Sequence, residues 1–217
     1  MNADGITLAI DAATAIGTVA VFRDGQLIGQ GETRLKGEAG ERLLPLIDET
    51  LALAGSSVAK VARVVCGAGP GSFTSLRIAA SAAKGMAMAR DIPLLAMRSL
   101  ELMIAGAQPA LNAGSYLAAL DAMRGEYFSA LVAIDGGNVS GEESFSLLSR
   151  QALEERAKAI GAEIVGPGFS RDVIPHARGA VAIDRWFAVD IDTWEPNYGR
   201  LAEAQVKWEA QHGRPLV

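Results

Sequence analysis

Three β-type runs precede any helical pattern in this chain, which separates it from dinucleotide-binding folds that pass from the first strand straight into a helix. Residues 6–10 form an apolar run that stops at Asp11, and residues 17–22 follow after a short polar connection. Asp24-Gly25 is a two-residue hairpin signal that returns the chain through residues 26–31 as a third strand. After a polar loop at 36–40, residues 41–54 place Leu43, Ile47, Leu51 and Ala54 on one helical stripe, with Leu44, Leu46 and Leu53 widening it. Pro45 either delays the regular helix to about Leu44 or kinks its first turns. Gly55 stops it.

Residues 61–66 then read as a short buried strand leading into Gly67-Ala-Gly-Pro-Gly-Ser72. A long helix is predicted over 73–90, capped by Ser72 or Thr74 and apolar nearly all round, so that it needs cover on more than one side. Residues 94–97 form a strand and Ser99 caps a helix to about Ala105. Residues 106–115, with Pro109 and Asn112, read as the linker between residues 1–106 and 107–217. The second part repeats the plan of the first: a strand at 116–120 ending in Asp121, a turn, a strand at 127–134, a turn, a strand at 139–148 and a helix at 151–160. This pattern reads as a diverged duplication.

Composition narrows the function. Of 217 residues 50% are hydrophobic and only 6% aromatic, with 24 glycines, so the core is aliphatic and alanine-rich. A net charge of −5 argues against a stand-alone nucleic-acid binder. One cysteine, Cys66, excludes an internal disulfide and a cysteine-cluster zinc site, and two histidines, His176 and His212, are too far apart for an i,i+4 metal pair. His176, after Pro175, is expected at the surface. No secretory signal and no membrane-length apolar run are evident, so the cytoplasm is the expected compartment and the Asn138-Val-Ser140 sequon a chance match.

Two segments carry candidate chemistry. In the Gly-rich loop, Gly69, Pro70, Gly71, Ser72, Phe73 and Thr74 open a helix whose N-terminus favours an anion, with Arg77 one turn in. Ser72 stands where a dinucleotide fingerprint needs glycine, and Gly-Lys-Ser/Thr is absent, so a nucleotide or partner contact and a purely structural turn both stay open. Asp11 and Thr14 occupy the position of the first phosphate loop of actin-like phosphotransferases, but Ala13 replaces the glycine that lets phosphate approach. Asp11 is either a metal anchor or a structural cap of its turn. Ser81-Ala-Ala-Lys84 lacks the companion elements of a penicillin-recognising hydrolase. The charged stretch 154–156 and the pair Glu203/Lys207 read as solvated helix faces.

Leu8-Ala-Ile-Asp-Ala-Ala-Thr14, Gly67-Ala-Gly-Pro-Gly-Ser-Phe-Thr-Ser-Leu-Arg-Ile78 and Asp121-Ala-Met-Arg-Gly-Glu-Tyr127 together resemble the TsaB (YeaZ) family. That family is the smaller actin-like subunit of the machinery that makes threonylcarbamoyladenosine in tRNA. Glu195-Pro-Asn-Tyr-Gly-Arg200 is similar to its closing Pro-x-Tyr-x-Arg. The resemblance implies an α/β fold of two actin-like (ASKHA, RNase H-like) domains, each a mixed sheet with an antiparallel three-stranded start and flanking helices. It implies a heterodimer with the larger paralogue TsaD, joined by the ATPase TsaE. In TsaD a His-x-x-x-His pair holds the catalytic metal; the equivalent Gly37-Glu-Ala-Gly-Glu-Arg-Leu43 has no histidine.

The implied role is therefore a catalytically silent scaffold, with no catalytic residue and no metal of its own. It supports TsaD as threonylcarbamoyl moves from an adenylate onto adenosine 37. No cofactor is expected to bind tightly, ATP or ADP belongs at the complex interface, and tRNA is touched only indirectly. Ser75, and Ala79 or Ala80, stand where the family often has glycine. The alternative is a small actin-like ATPase or phosphotransferase using Asp11; a glycoprotease-like hydrolase has only fold kinship behind it. The two apolar helices are expected to present Glu41, Leu44, Ile47, Leu51, Leu76, Ala79, Ala80, Ala83, Met86 and Ala87 to TsaD, or to a second copy of the chain when TsaD is absent.

Overall fold

A computed structural model describes residues 5–35, 42–183, 185–200, 208 and 211–213. β1 (Ile6–Asp11), β2 (Ile16–Arg23) and β3 (Gln26–Arg34) form an antiparallel meander. Asp24 and Gly25 make its hairpin turn, both with positive φ, 52° and 74°. β4 (Val61–Gly67) and β5 (Leu94–Met97) add parallel strands beside β1. α1 (Leu43–Leu53) covers β2 and β3, and α2 (Phe73–Arg90) covers β4 and β1. Pro45 sits in the first turn of α1, where a backbone N–H has no intrahelical acceptor to lose, so the helix starts without a kink.

Both faces of β1, β2 and the end of β4 are buried, which is why these strands read as nearly unbroken apolar runs, whereas the edge strand β3 is mostly exposed and polar. Alternate residues separate the two layers. Leu8, Ile10, Val19, Val21, Val64 and Cys66 pack under α1 and α2 with Ile47, Leu51, Ala79, Ala83 and Ala87. Ala9, Ala20, Phe22 and Val65 face the other way, onto α3 (Ser99–Ala105).

The second sheet repeats the plan. β6 (Gly114–Asp121) and β7 (Glu126–Asp135) are antiparallel, and β10 (Glu163–Val165) runs parallel to β6 as β4 does to β1. α4 (Arg150–Ile160) covers its outer face through Leu153 and Ala157. Even the strand-end aspartates match: Asp11 Oδ1 accepts Ala13 N–H at 3.0 Å, and Asp121 Oδ1 accepts Met123 N–H at 2.7 Å. α3, buried along Leu100, Leu102, Met103 and Ile104, lies between the sheets and ties both into one core. Late in the chain β11 (Phe187–Ala188) returns to the first sheet, antiparallel to β5.

Three local expectations are corrected. The strand expected over 139–148 is two strands, β8 (Asn138–Gly141) and β9 (Ser146–Ser149), pairing different halves of β7. Between them Glu142 Oε2 accepts the Leu131 N–H at 2.9 Å, a side chain taking a ladder position. Arg156 binds Glu142 Oε1 at 2.6 Å and so is not a solvated face residue. His176 is 2% exposed rather than at the surface, because its Nδ1 accepts the Arg178 N–H at 3.0 Å and opens a 3-10 helix (Ala177–Ala182) packed against α3.

Candidate functional site at the cleft between the sheets

β1 ends in Asp11 and β4 ends in Gly67, side by side, and the turns that follow them meet. Asp11 is 1% exposed, with both carboxylate oxygens engaged by the chain itself. Oδ1 holds the Ala13 N–H, and Oδ2 accepts the Ser99 hydroxyl at 2.5 Å. Burial raises the Asp11 pKa, and those two hydrogen bonds pull against it. Cys66, next to it, is also buried, and desolvation plus the Asp11 charge push its thiol up. It is an inert core side chain. Ser99 is not the cap of α3: Arg98 holds that position, and the Ser99 hydroxyl instead joins Asp11 to the Gly69 N–H at 3.1 Å.

The Gly-rich loop closes onto the Asp11 turn. Ser72 N–H donates to the Ala13 carbonyl at 2.7 Å, and a Cβ on Gly71 would collide with that carbonyl. Glycine is required at this close approach. Gly69 has φ +82°, and a Cβ there would strike the Asn197 carbonyl. Pro70 is buried and Thr74 exposed. Ser72 stands at the N-cap of α2 but makes no cap bond with its side chain, which pairs with Ser75 Oγ at 3.0 Å. Thr14 turns onto Ile16, accepting its N–H at 3.0 Å. The Ala13, Gly69 and Ser72 N–H groups are thus committed within the chain.

A cavity of about 810 Å³ opens beside these loops. The Asp11 turn, Ser72 and Phe73 line one side, and the Asp121 turn with Met123 and Arg124 the other. Met123 and Arg124 hold left-handed backbone, φ 65° and 58°. A strap from the C-terminal stretch spans the cleft. Asn197 N–H donates to Ala68 O at 2.8 Å, the Tyr198 ring packs tilted against Phe73 with centroids 4.5 Å apart, Gly199 lies against Phe128, and Arg200 pairs with Glu126. Arg77 lies over the Phe73 ring at 5.3 Å. Sequence reasoning found the strap only as a family motif, because its contacts join residues far apart in the chain.

The expected partner face is corrected residue by residue. Ile47, Leu51, Leu76, Ala79, Ala80, Ala83 and Ala87 are buried in the chain's own core, and Met86 is half-buried. Ser75, like Ala79 and Ala80, also points inward. Glu41 lies outside the described residues, as do residues 36–40 and the pair Glu203/Lys207. What the helices do expose is Leu44 (59%) and Leu53 (87%) on α1 and Met88 (62%) on α2. Ser81, Gly85 and Ala89, exposed and four residues apart, share one face of α2. Among the described residues no group of three or more His, Cys, Asp or Glu is placed to hold a metal ion. No helix among them is long and apolar enough to cross a membrane.

Comparison with known proteins agrees with this geometry. The family described as TsaD: tRNA N6-adenosine threonylcarbamoyltransferase matches residues 38–167. The tRNA threonylcarbamoyladenosine biosynthesis protein TsaB of Escherichia coli K12 is 33% identical over 162 residues, 74% of this chain and 70% of the relative. TsaB of Bacillus subtilis 168 is 26% identical over 93% of this chain and 96% of its own length. A solved Pseudomonas aeruginosa structure, an uncharacterized protein with similarity to peptidase YEAZ, superposes with TM-score 0.76 at 25% identity, covering 90% of this chain and 100% of that one. The two-sheet architecture is that of the solved YeaZ-like structure, and the chain belongs to the TsaB (YeaZ) family.

Proposed function

We propose that this chain is the non-catalytic subunit of the tRNA threonylcarbamoyladenosine machinery, acting by pairing with a larger actin-like paralogue, TsaD. Family membership supports the part in threonylcarbamoyladenosine biosynthesis. The observation that carries the pairing is Gly85. It lies in the middle of an 18-residue helix, is exposed, and has nothing within 4 Å of where its Cβ would stand. A glycine there costs about 1 kcal/mol relative to alanine and serves no contact among the described residues. With Met88 three residues on along the same helix, it makes a surface that a partner helix can approach closely.

In this reading TsaE with ATP joins the pair, any ATP or ADP sits at the subunit junction, the metal belongs to TsaD, and tRNA is contacted indirectly. A second copy of the chain takes the TsaD place when TsaD is absent. The closed Asp11 turn speaks against the alternative of a small ATPase with Asp11 as metal anchor. The test is size-exclusion co-elution with TsaD of Leu44→Arg and Gly85→Arg, both at exposed positions that leave the core intact. Loss of the complex with melting no lower than that of the wild type is expected; wild-type co-elution of both variants overturns the pairing. Micromolar ATP binding with turnover abolished in Asp11→Asn would restore the ATPase reading.

A further inference from the structure

On the far side of the Gly-rich loop from the cleft lies a second cavity of about 310 Å³, at the lower end of the range that holds small organic ligands. Its walls are apolar and aromatic, Leu100, Phe145 and Phe187 among them, and the loop residue Pro70 also lines it. Three carboxylates, Glu101, Glu142 and Glu143, and one guanidinium, Arg98, complete the lining. Both oxygens of Glu142 are engaged, by Arg156 and the Leu131 N–H, and Arg98 lies over the Phe187 ring at 5.4 Å.

Glu101 is the unusual member. It is 3% exposed, and Oε1 receives Arg98 at 2.9 Å and the Gly141 N–H at 3.0 Å. Oε2 is buried with no hydrogen-bond partner among the described residues. Buried carboxylate oxygens in folded proteins are almost always satisfied. The Glu101 carboxylate thus stands in the cavity wall with an acceptor that none of the described residues meets.

We infer that this cavity is a binding site for a compact, flat organic cation whose N–H group donates to Glu101 Oε2 while its apolar body lies along Phe145 and Phe187. An aryl amidinium has that chemistry: a planar cation with donors at one end and a ring at the other. The acidic lining favours its charge, and the aromatic walls favour both its ring and its charge. Burial raises the Glu101 pKa against the pull of Arg98 and the Gly141 N–H, and a bound cation adds to that pull.

Benzamidine titrated into the intact chain, followed by amide resonances of Gly69, Leu100 and Gly141, tests the site, with benzamide as the neutral counterpart of the same shape. Saturable shifts at these residues are expected with benzamidine. Affinity falls about tenfold or more for benzamide on the same protein, and by a similar factor for benzamidine on Glu101→Gln. Absence of saturable shifts, or equal affinity for the charged and neutral probes, overturns the assignment. Unchanged affinity in Glu101→Gln does so as well. These readouts use no TsaD and stand apart from the pairing experiment.

Discussion

Ser99 Oγ donates to Asp11 Oδ2 at 2.5 Å across 88 residues of sequence, and the same hydroxyl accepts the Gly69 N–H. One side chain thereby locks the ends of β1 and β4 and the start of α3 together. Ser99→Ala strands a buried carboxylate oxygen and a buried N–H at once, and the expected loss is about 2–4 kcal/mol. Asp11→Asn keeps the acceptor for Ala13 and the shape, and should cost less. Urea unfolding measures both; a Ser99→Ala loss under about 0.5 kcal/mol contradicts the lock.

Gly71 and Gly85 predict opposite signs for one chemical change. At Gly71 a methyl group runs into the Ala13 backbone, which cannot give way without breaking the Ser72 to Ala13 hydrogen bond. Gly71→Ala is expected to destabilise by about 2 kcal/mol or more. At Gly85 the methyl meets open space on a helix, and Gly85→Ala should stabilise by about 1 kcal/mol. Thermal melts decide it, and equal shifts for the two variants would sink the argument.

What could be read from the chain follows the range of the forces involved. The Asp24-Gly25 hairpin and the span of α2 rest on local turn chemistry and helical period, and the structure reproduces both. The side to which α2 turns its alanines is not local information. An almost uniformly apolar helix gives no polar face to orient it, so Ala79, Ala83 and Ala87 could be assigned to a partner as easily as to the sheet that in fact covers them. Ser99 has the composition of a cap and is drawn away by a carboxylate that only folding brings near. His176 fails for the same reason: its burial is set by a 3-10 helix docking on α3.

His176 makes stability depend on pH. Burial first, and the neighbouring Arg178 charge second, hold its pKa down at about 4 against an ordinary 6.5. Between those values the unfolded chain binds a proton that the folded one refuses. Stability is therefore complete above about pH 6.5 and falls on acidification toward pH 4, by at most about 3 kcal/mol. Asp11 and Glu101, whose pKa values burial raises, act in the opposite sense, because the folded state holds their protons more tightly. His176→Asn keeps an acceptor for the Arg178 N–H and does not titrate, so its urea midpoints should change less between pH 7 and 4.5. Parallel profiles for wild type and variant would show that His176 is not the source.

The strap gives the last prediction. Gly199 takes φ +73°, and a Cβ there would enter the Phe128 ring, so this position demands glycine twice over. Gly199→Ala should lift Tyr198 from Phe73 and weaken the Arg200 pair with Glu126, while the sheets, which do not depend on the strap, stay folded. The effect belongs to local opening and is best read by hydrogen exchange. The Asn197 amide, which donates to Ala68 O, should lose protection by about tenfold or more, while the Leu8 and Val64 amides at the centre of the first sheet keep theirs. Were Asn197 as protected in the variant as in the wild type, the contacts at Gly199 could not be what holds the Gly-rich loop to the second sheet.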